Sequence, residues 1–144
     1  MNSNLIYLVQ TDTTVGFLSQ DAKKINRLKK RDENQKLLKT IISFSQIEER
    51  VPSKFKNYVR RAKNTTFIIK ENSYRKARGK SHKRFIEKFK FMYSSSANET
   101  GKNFDEKVAT ELSDVIVYRK ENFSENRPSK IVKLYKDKVK VIRK

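Results

Sequence analysis

Short apolar runs separated by polar, lysine-rich segments divide the chain into alternating strand and helix candidates. The apolar runs are typical of buried strands and cover residues 5–9, 37–44, 65–69, 91–93, 114–118, 131–135 and 139–142. Residues 11–16 hold three threonines, an aspartate and a glycine, and they predict a polar turn. Near the C-terminus, Val139 and Val141 alternate with lysines, which predicts a strand with one buried and one charged face.

Helices are predicted where apolar residues recur three or four positions apart. A first helix over residues 20–30 turns Ile25 and Leu28 inward, and residues 45–48 fit a capping box that begins a short helical turn. The inward residues of the later helices are Phe55, Tyr58, Val59 and Ala62; Phe85, Ile86 and Phe89; and Phe104, Val108 and Leu112. This mixed order predicts an α/β fold, with one domain over residues 1–144 in which helices pack on a twisted mixed sheet.

The charge balance indicates a polyanionic partner. Lys and Arg number 35 against 16 Asp and Glu, which gives a formal net charge of +19. The positive residues are spread along the whole chain, and such a field favours salt-dependent association with RNA or DNA. The alternative is a solvated lysine surface that reflects biased codon usage.

Composition also excludes some chemistry. Without cysteine the chain has no disulfide, thiolate nucleophile or Cys-ligated zinc, and no metal site is predicted. The one histidine, His82, lies among cations and is predicted to be exposed rather than catalytic. No apolar run approaches the ~18–20 residues of a membrane span, and no signal peptide is evident, so we expect a cytoplasmic protein with no membrane association.

Two polar segments are candidates for binding a phosphate-bearing ligand. Residues 29–31 are Lys-Lys-Arg at the end of the first predicted helix, and residues 94–101 read Ser-Ser-Ser-Ala-Asn-Glu-Thr-Gly after a predicted strand. Together they supply cations, hydroxyls, an amide and exposed backbone N–H groups. Each alone has a plainer interpretation, a cationic helix end for the first and a helix cap for the second.

In that order, these segments resemble the YrdC-like family, the threonylcarbamoyl-AMP synthases. Residues 29–31 match the family's Lys-x-Arg, and residues 95–101 match its Thr-Ser-Ala-Asn-x-Ser-Gly. Four further pieces are similar to family segments: residues 11–17, 65–69, 128–132 and 141–143. The resemblance covers nearly the whole chain.

The resemblance implies an open α/β domain with a basic concave cleft. Family members condense ATP, threonine and bicarbonate into threonylcarbamoyl-AMP, with Mg²⁺ accompanying the ATP. Partner enzymes then transfer the threonylcarbamoyl group to an adenosine of tRNA. The family is also associated with binding tRNA and double-stranded RNA.

The resemblance also implies a role for each matching residue. Lys29 and Arg31 would neutralise phosphates, while Ser96 and Asn98 would hydrogen-bond the nucleotide or the threonyl group, and these four form the expected catalytic set. The remaining expected contacts are Ser95, Ser129 and Arg143 to the nucleotide, and Thr11, Thr13 and Thr66 to the amino acid. We expect Lys29 and Arg31 to be exposed, so that replacing either leaves the fold intact.

Several departures from the family pattern fall near the amino-acid and nucleotide ends of the site. Gln10 stands in place of a proline, the tyrosine expected after Val15 is missing, Lys36 replaces a proline, and Thr40 lies near a histidine position. Three hypotheses therefore remain: a divergent synthase, a non-catalytic RNA-binding module on the same fold, and an accessory protein that binds a nucleotide as a regulatory ligand.

Overall fold

The computed structural model describes residues 2–117 and 122–144, and within them the chain alternates strands and helices. The strands are β1 (Tyr7–Gln10), β2 (Val15–Ser19), β3 (Leu38–Ile41), β4 (Thr65–Ile69), β5 (Asn72–Lys76), β6 (Phe91–Ser96), β7 (Val115–Ile116), β8 (Lys130–Leu134) and β9 (Val139–Arg143). The α-helices are α1 (Ala22–Leu28), α2 (Lys56–Arg61), α3 (Lys80–Glu87) and α4 (Glu106–Leu112). Single 3-10 turns cover Phe44–Gln46 and Ser53–Phe55.

The described strands form one open sheet in the order β7-β1-β2-β6-β3-β5-β4-β8-β9. Strand β6 pairs antiparallel with both β2 and β3, whereas β3–β5, β4–β8 and β1–β7 are parallel pairs. The sheet is therefore mixed, and the predicted α/β class and mixed-sheet architecture are confirmed. None of the described helices is long and apolar enough to cross a membrane.

Strands β1 and β2 form an antiparallel pair, and their alternating residues pack into buried clusters on both faces of the sheet. On one face, Tyr7 and Leu18 pack with Phe85, Ile86 and Phe89 of the α3 region. On the other, the buried residues are Ile6, Leu8, Val15, Phe17, Ile25, Ala97 and Ala109, from the strands, α1, α4 and the loop after β6. A third cluster lies where α2 packs on β4 and β8, with Val59, Phe67, Val132 and Leu134 at its centre.

Strand β4 has the predicted bounds, but β2 was missed. The segment containing β2 was predicted as a turn followed by a helix, because Gly16 and the threonines before it are typical of loops. The basic stretch over residues 75–84 was predicted as a loop or short strand that leads into a helix, and β5 ends in this stretch at Lys76 while α3 begins in it at Lys80. The serines at 94–96 continue β6 rather than follow it.

Two local predictions were wrong and one reaches beyond the described residues. The capping box forms between Ser43 and Gln46, two residues before the predicted position. Strand β9 has no fully buried face: Val141 is 45% exposed because β9 is the outermost strand, with a neighbour on one side only. The predicted strand at 114–118 is confirmed as β7, although its last residue lies outside the described part.

Candidate functional site

A cleft of about 730 Å³ opens where β2 and β6 meet the loops on either side of them. The hydroxyl-rich end of β6 lies beside the 11–14 turn, and residues 125–129 and Arg143 face both. The predicted site residues that line the cleft are Thr11, Thr13, Ser95, Ser96, Asn98, Ser129 and Arg143. Lys29, Arg31 and Thr66 lie just behind this lining and hydrogen-bond to it.

Lys29 ties α1 to the end of β6. The helix stops at Leu28, and Lys30 adopts a left-handed φ of 56°, which reverses the chain. The Lys29 Nζ donates to the Ser96 carbonyl at 2.8 Å and to the Asn98 carbonyl at 2.6 Å. The expectation that Lys29 is exposed was wrong: it is 7% exposed, because these two carbonyls replace the water that an ammonium needs.

Burial changes the acidity of this lysine. Burial, with a smaller contribution from the positive charge of Arg31, lowers the pKa of Lys29 to about 8. Arg31 itself is half-buried rather than exposed, and its Nη2 donates to Ser95 Oγ at 3.1 Å. Burial also lowers the pKa of Arg31. The two cations thus lie behind Ser95 and Ser96, which we call the serine row.

The loop after β6 is shaped by Asn98 and Thr100. The Asn98 amide donates to the carbonyls of Glu99 and Lys102, at 3.1 and 2.7 Å, and Thr100 Oγ1 donates to the Lys29 carbonyl. The Asn98 side-chain nitrogen is therefore committed to the loop. Its predicted contact with a ligand stays a prediction, as do the ligand contacts of the other site residues.

A second polar cluster forms around Ser129, which is 1% exposed. Its hydroxyl lies 2.9 Å from Thr66 Oγ1, and it accepts from Arg75 Nη1 at 3.3 Å and from Arg143 Nη2 at 3.4 Å. The Arg143 Nε also donates to the Ser129 carbonyl at 2.9 Å. Strands β4, β5, β8 and β9 are adjacent in the sheet, which explains how residues so distant in sequence meet.

Arg75 is a site residue that the sequence did not reveal. It is 9% exposed, its Nε has no hydrogen-bond partner, and no carboxylate of the described residues forms an ion pair with it. Burial lowers the pKa of Arg75 to about 10, the distant charge of Asp12 raises it and that of Arg143 lowers it further. A buried guanidinium without a counter-ion is costly, so this position suits an anionic ligand. In the sequence, Arg75 could not be distinguished from the other basic residues of the segment 75–84.

The turn at residues 11–14 presents two buried threonines to the cleft. Thr11 Oγ1 donates to the Thr14 carbonyl at 2.6 Å and lies 3.3 Å from Thr13 Oγ1. The glycine that follows is sterically required: a Cβ on Gly16 would lie 2.9 Å from Leu18 Cδ1 and 3.3 Å from the Ser95 carbonyl. This close approach of β2 to β6 brings the threonines beside the serine row.

Of the residues that depart from the family pattern, Gln10 lies next to the cleft, whereas Lys36 and Thr40 lie outside its lining. The Gln10 side chain accepts from the Ser124 N–H and donates to the Ser124 carbonyl, so it anchors the segment that returns to the cleft. Thr40 is fully buried in β3 and Lys36 is exposed, and neither belongs to the described cleft lining.

His82 was predicted to be exposed, and this was wrong. It is 3% exposed on the inner face of α3, with Nδ1 at 3.2 Å from a carboxylate oxygen of Asp12. The surrounding lysines indicated a solvated position, but they occupy the outer side of the helix. His82 lies outside the cleft, in a neighbouring cavity.

Solved structures show which fold this is. P. abyssi Sua5 complexed with L-threonine matches 96% of this chain with a TM-score of 0.78 at 18% identity, and E. coli YciO matches 98% with a TM-score of 0.77 at 15% identity. The chain has the YrdC-like fold. Full-length HypF, in its phosphate- and nucleotide-bound form, contains the same fold at a TM-score of 0.74 and 11% identity over 96% of this chain.

These matches confirm, at the level of the fold, the resemblance drawn from the sequence. The matched region makes up 50% of the Sua5 chain, 83% of YciO and 26% of HypF, so this chain spans about half the length of Sua5. No protein-family model matches the sequence, and no curated protein matches it at a significant level.

Proposed function

We propose that the cleft binds ATP and threonine and that this chain acts as a threonylcarbamoyl-AMP synthase. The observation that carries the proposal is the placement of Lys29 and Arg31 directly behind the Ser95–Ser96 row, opposite the Arg75–Ser129–Arg143 cluster. The similar structures support it: Sua5 is complexed with L-threonine, and HypF is in a phosphate- and nucleotide-bound form.

The charge around the cleft suits a triphosphate. Arg75, Lys102, Arg127 and Arg143 line it, against the carboxylate of Glu125. An ammonium group has three protons, and two of those on Lys29 point to carbonyls, which leaves one for a phosphate oxygen. In this proposal Lys29 and Arg31 neutralise the phosphates, and Ser129 and Arg143 close over the nucleotide.

The proposed reaction needs positioning and charge neutralisation rather than a protein nucleophile. The threonine amine first forms a carbamate with bicarbonate, of which one C–O bond breaks so that the oxygen leaves as water. A carboxylate oxygen of this carbamate then attacks the α-phosphorus of ATP, and the bond to pyrophosphate breaks. Negative charge then grows on the departing pyrophosphate, where Lys29 and Arg31 stabilise it. Thr11, Thr13 and Thr66 hold the threonyl end, and Ser96 and Asn98 orient the reacting groups.

Magnesium enters this proposal as part of the substrate. The described residues contain no group of three or more His, Cys, Asp or Glu side chains that would hold a metal by themselves. Protein-bound Mg²⁺ is commonly held by substrate phosphates, water and one or two carboxylates. Glu125, which lines the cleft, is the carboxylate that fits this role.

The test is pyrophosphate release from ATP. We expect release that requires threonine, bicarbonate and Mg²⁺ together, and that falls sharply in Lys29→Met. The matched control is Lys23→Met, which removes an exposed charge from α1, the helix that ends just before Lys29. Absence of pyrophosphate, while an established threonylcarbamoyl-AMP synthase produces it in parallel, would overturn the synthase proposal.

The net charge of +19 favours a second candidate function, a module that binds tRNA or double-stranded RNA without catalysis. This function requires no binding of threonine or ATP in the cleft. Salt-dependent RNA binding without threonine-stimulated ATP binding would favour this function over the synthase.

A further inference from the structure

A second cavity, of about 430 Å³, adjoins the cleft on the far side of Arg75. The cavity and the cleft share three lining residues, Thr11, Arg75 and Asn126. The rest of the cavity lining comes mainly from residues 76–82, which lead into α3 and form its first turn. The proposed synthase reaction uses none of those α3 residues. This cavity therefore requires an explanation of its own.

Asp12 organises the start of α3. Its carboxylate accepts from the Arg78 N–H at 2.7 Å and from the Gly79 N–H at 2.9 Å. A Cβ on Gly79 would lie 2.6 Å from Asp12 Oδ1, so the turn is built around this carboxylate. His82 Nδ1 approaches the same oxygen at 3.2 Å. The Asp12 carboxylate is thus already engaged by two backbone N–H groups at the start of the helix.

Three buried nitrogens of residues at this cavity have no hydrogen-bond partner in the described part of the chain. They are Arg75 Nε and both ring nitrogens of His82, on side chains that are 9% and 3% exposed, and of these only His82 Nδ1 lies near a carboxylate. Leaving buried polar atoms without a hydrogen-bond partner costs free energy. Both residues belong to the lining of the cavity.

The charge of the lining favours an anion. Arg75, Arg78 and Lys80 belong to the lining, against the engaged carboxylate of Asp12. Arg78 Nη2 also donates to the Ala62 carbonyl at 2.9 Å, which fixes one side of the opening. Lys80 is exposed at the first position of α3, where it can reach a bound group.

We propose that this cavity binds a phosphate group, held by Arg75, Lys80 and His82, at a site that adjoins the cleft and shares Arg75 with it. A phosphate oxygen would accept hydrogen bonds from the Arg75 guanidinium, the Lys80 ammonium and an N–H of the His82 ring. The phosphate belongs either to a small phosphorylated molecule or to an RNA backbone. This inference does not depend on the proposed synthase activity.

The single histidine of the chain makes the site directly observable. We would record the NMR resonances of the His82 imidazole in the full-length protein at fixed pH and ionic strength. Inorganic phosphate is titrated in one series and chloride, as the control anion, in another. A second arm uses a mononucleotide, and a third a short RNA duplex. The variants are Lys80→Ala and its matched control Lys83→Ala, an exposed lysine of the same helix outside the lining.

We expect a saturable His82 shift with phosphate but not chloride, and a dissociation constant raised about fivefold by Lys80→Ala and unchanged by Lys83→Ala. Saturation by the duplex at lower concentration than by phosphate or mononucleotide assigns the site to RNA, and the reverse order assigns it to a small molecule. No saturable shift, or equal weakening by both variants, would overturn the inference. Loss of ATP binding at the cleft alone would overturn the synthase proposal and leave this site standing.

Discussion

The Lys29 ammonium is held by two backbone carbonyls at the end of β6, close to a second cation, Arg31. Its pKa of about 8 places loss of its charge within the range in which proteins are handled. Nucleotide binding that depends on this charge must therefore depend on pH.

We predict that ATP affinity falls as the pH rises through about 8, because Lys29 then loses the proton that neutralises phosphate. Lys29→Arg should bind ATP with little pH dependence in this range, since an arginine stays charged. Isothermal titration of both proteins between pH 7 and pH 9.5 would measure this. A pH profile of the wild type that matches the variant would contradict the role given to Lys29.

The contribution of Lys29 to the stability of the ligand-free protein should instead increase with pH. Folded Lys29 has a pKa of about 8, and the ordinary value is 10.5, so between these values the unfolded chain binds more protons. The contribution of Lys29 to the free energy of unfolding therefore rises with pH across this window. Urea denaturation of the wild type and of Lys29→Met over the same range would separate this effect from those of other groups.

Some site residues could be predicted from sequence and others could not. Lys29 and the Ser95–Asn98 segment stand out because their residue types recur in a known order. Arg75 does not, because a buried arginine in a run of exposed basic residues has no local signature. His82 was misjudged for the same reason: its burial depends on Asp12, 70 residues earlier in the chain.

At the scale of single elements, β4 supports the third hydrophobic cluster. Phe67 is 1% exposed, and its ring packs edge-on against Tyr58 and Phe44 at centroid distances of 6.1 and 6.4 Å. These contacts fasten α2 and the 3-10 turn at Phe44–Gln46 to the sheet.

We predict that Phe67→Ala lowers the free energy of unfolding by about 3–5 kcal/mol, because it leaves a cavity that its neighbours cannot fill. The control is Val141→Ala on β9, which should change it by less than about 0.5 kcal/mol because Val141 is 45% exposed. Urea denaturation followed by circular dichroism would measure both. Similar losses in the two variants would contradict the assignment of this cluster as core.

Elements with strong local patterns were predictable, and elements defined by their neighbours were not. Strand β4 consists of threonines, Phe67 and isoleucines, which are common in strands, and its bounds were predicted correctly. Strand β2 contains Gly16, which has no side chain and therefore permits the close approach to β6. In the sequence, however, this glycine after three threonines is typical of a turn. The pattern of β9 predicted a buried face, although an edge position leaves its valines partly exposed.

At the scale of the whole molecule, the net charge predicts how RNA association responds to salt. We expect the logarithm of RNA affinity to fall with the logarithm of salt concentration with a slope of about −4 or steeper, as counterions are released from several phosphates. Fluorescence anisotropy with a labelled RNA duplex between 50 and 400 mM salt, about the range in which such slopes are resolved, would measure it. A slope shallower than about −1 would show that the charge serves solubility rather than RNA.

The central claim is that the cleft binds ATP and threonine through Lys29. Calorimetric titration of ATP and Mg²⁺, with and without threonine, tests it on wild type, Lys29→Met and Lys23→Met. We predict ATP binding that threonine strengthens, that Lys29→Met weakens at least tenfold, or about 1.4 kcal/mol, and that Lys23→Met preserves. No ATP binding to the wild type, or equal affinity in a folded Lys29→Met variant, would contradict the claim.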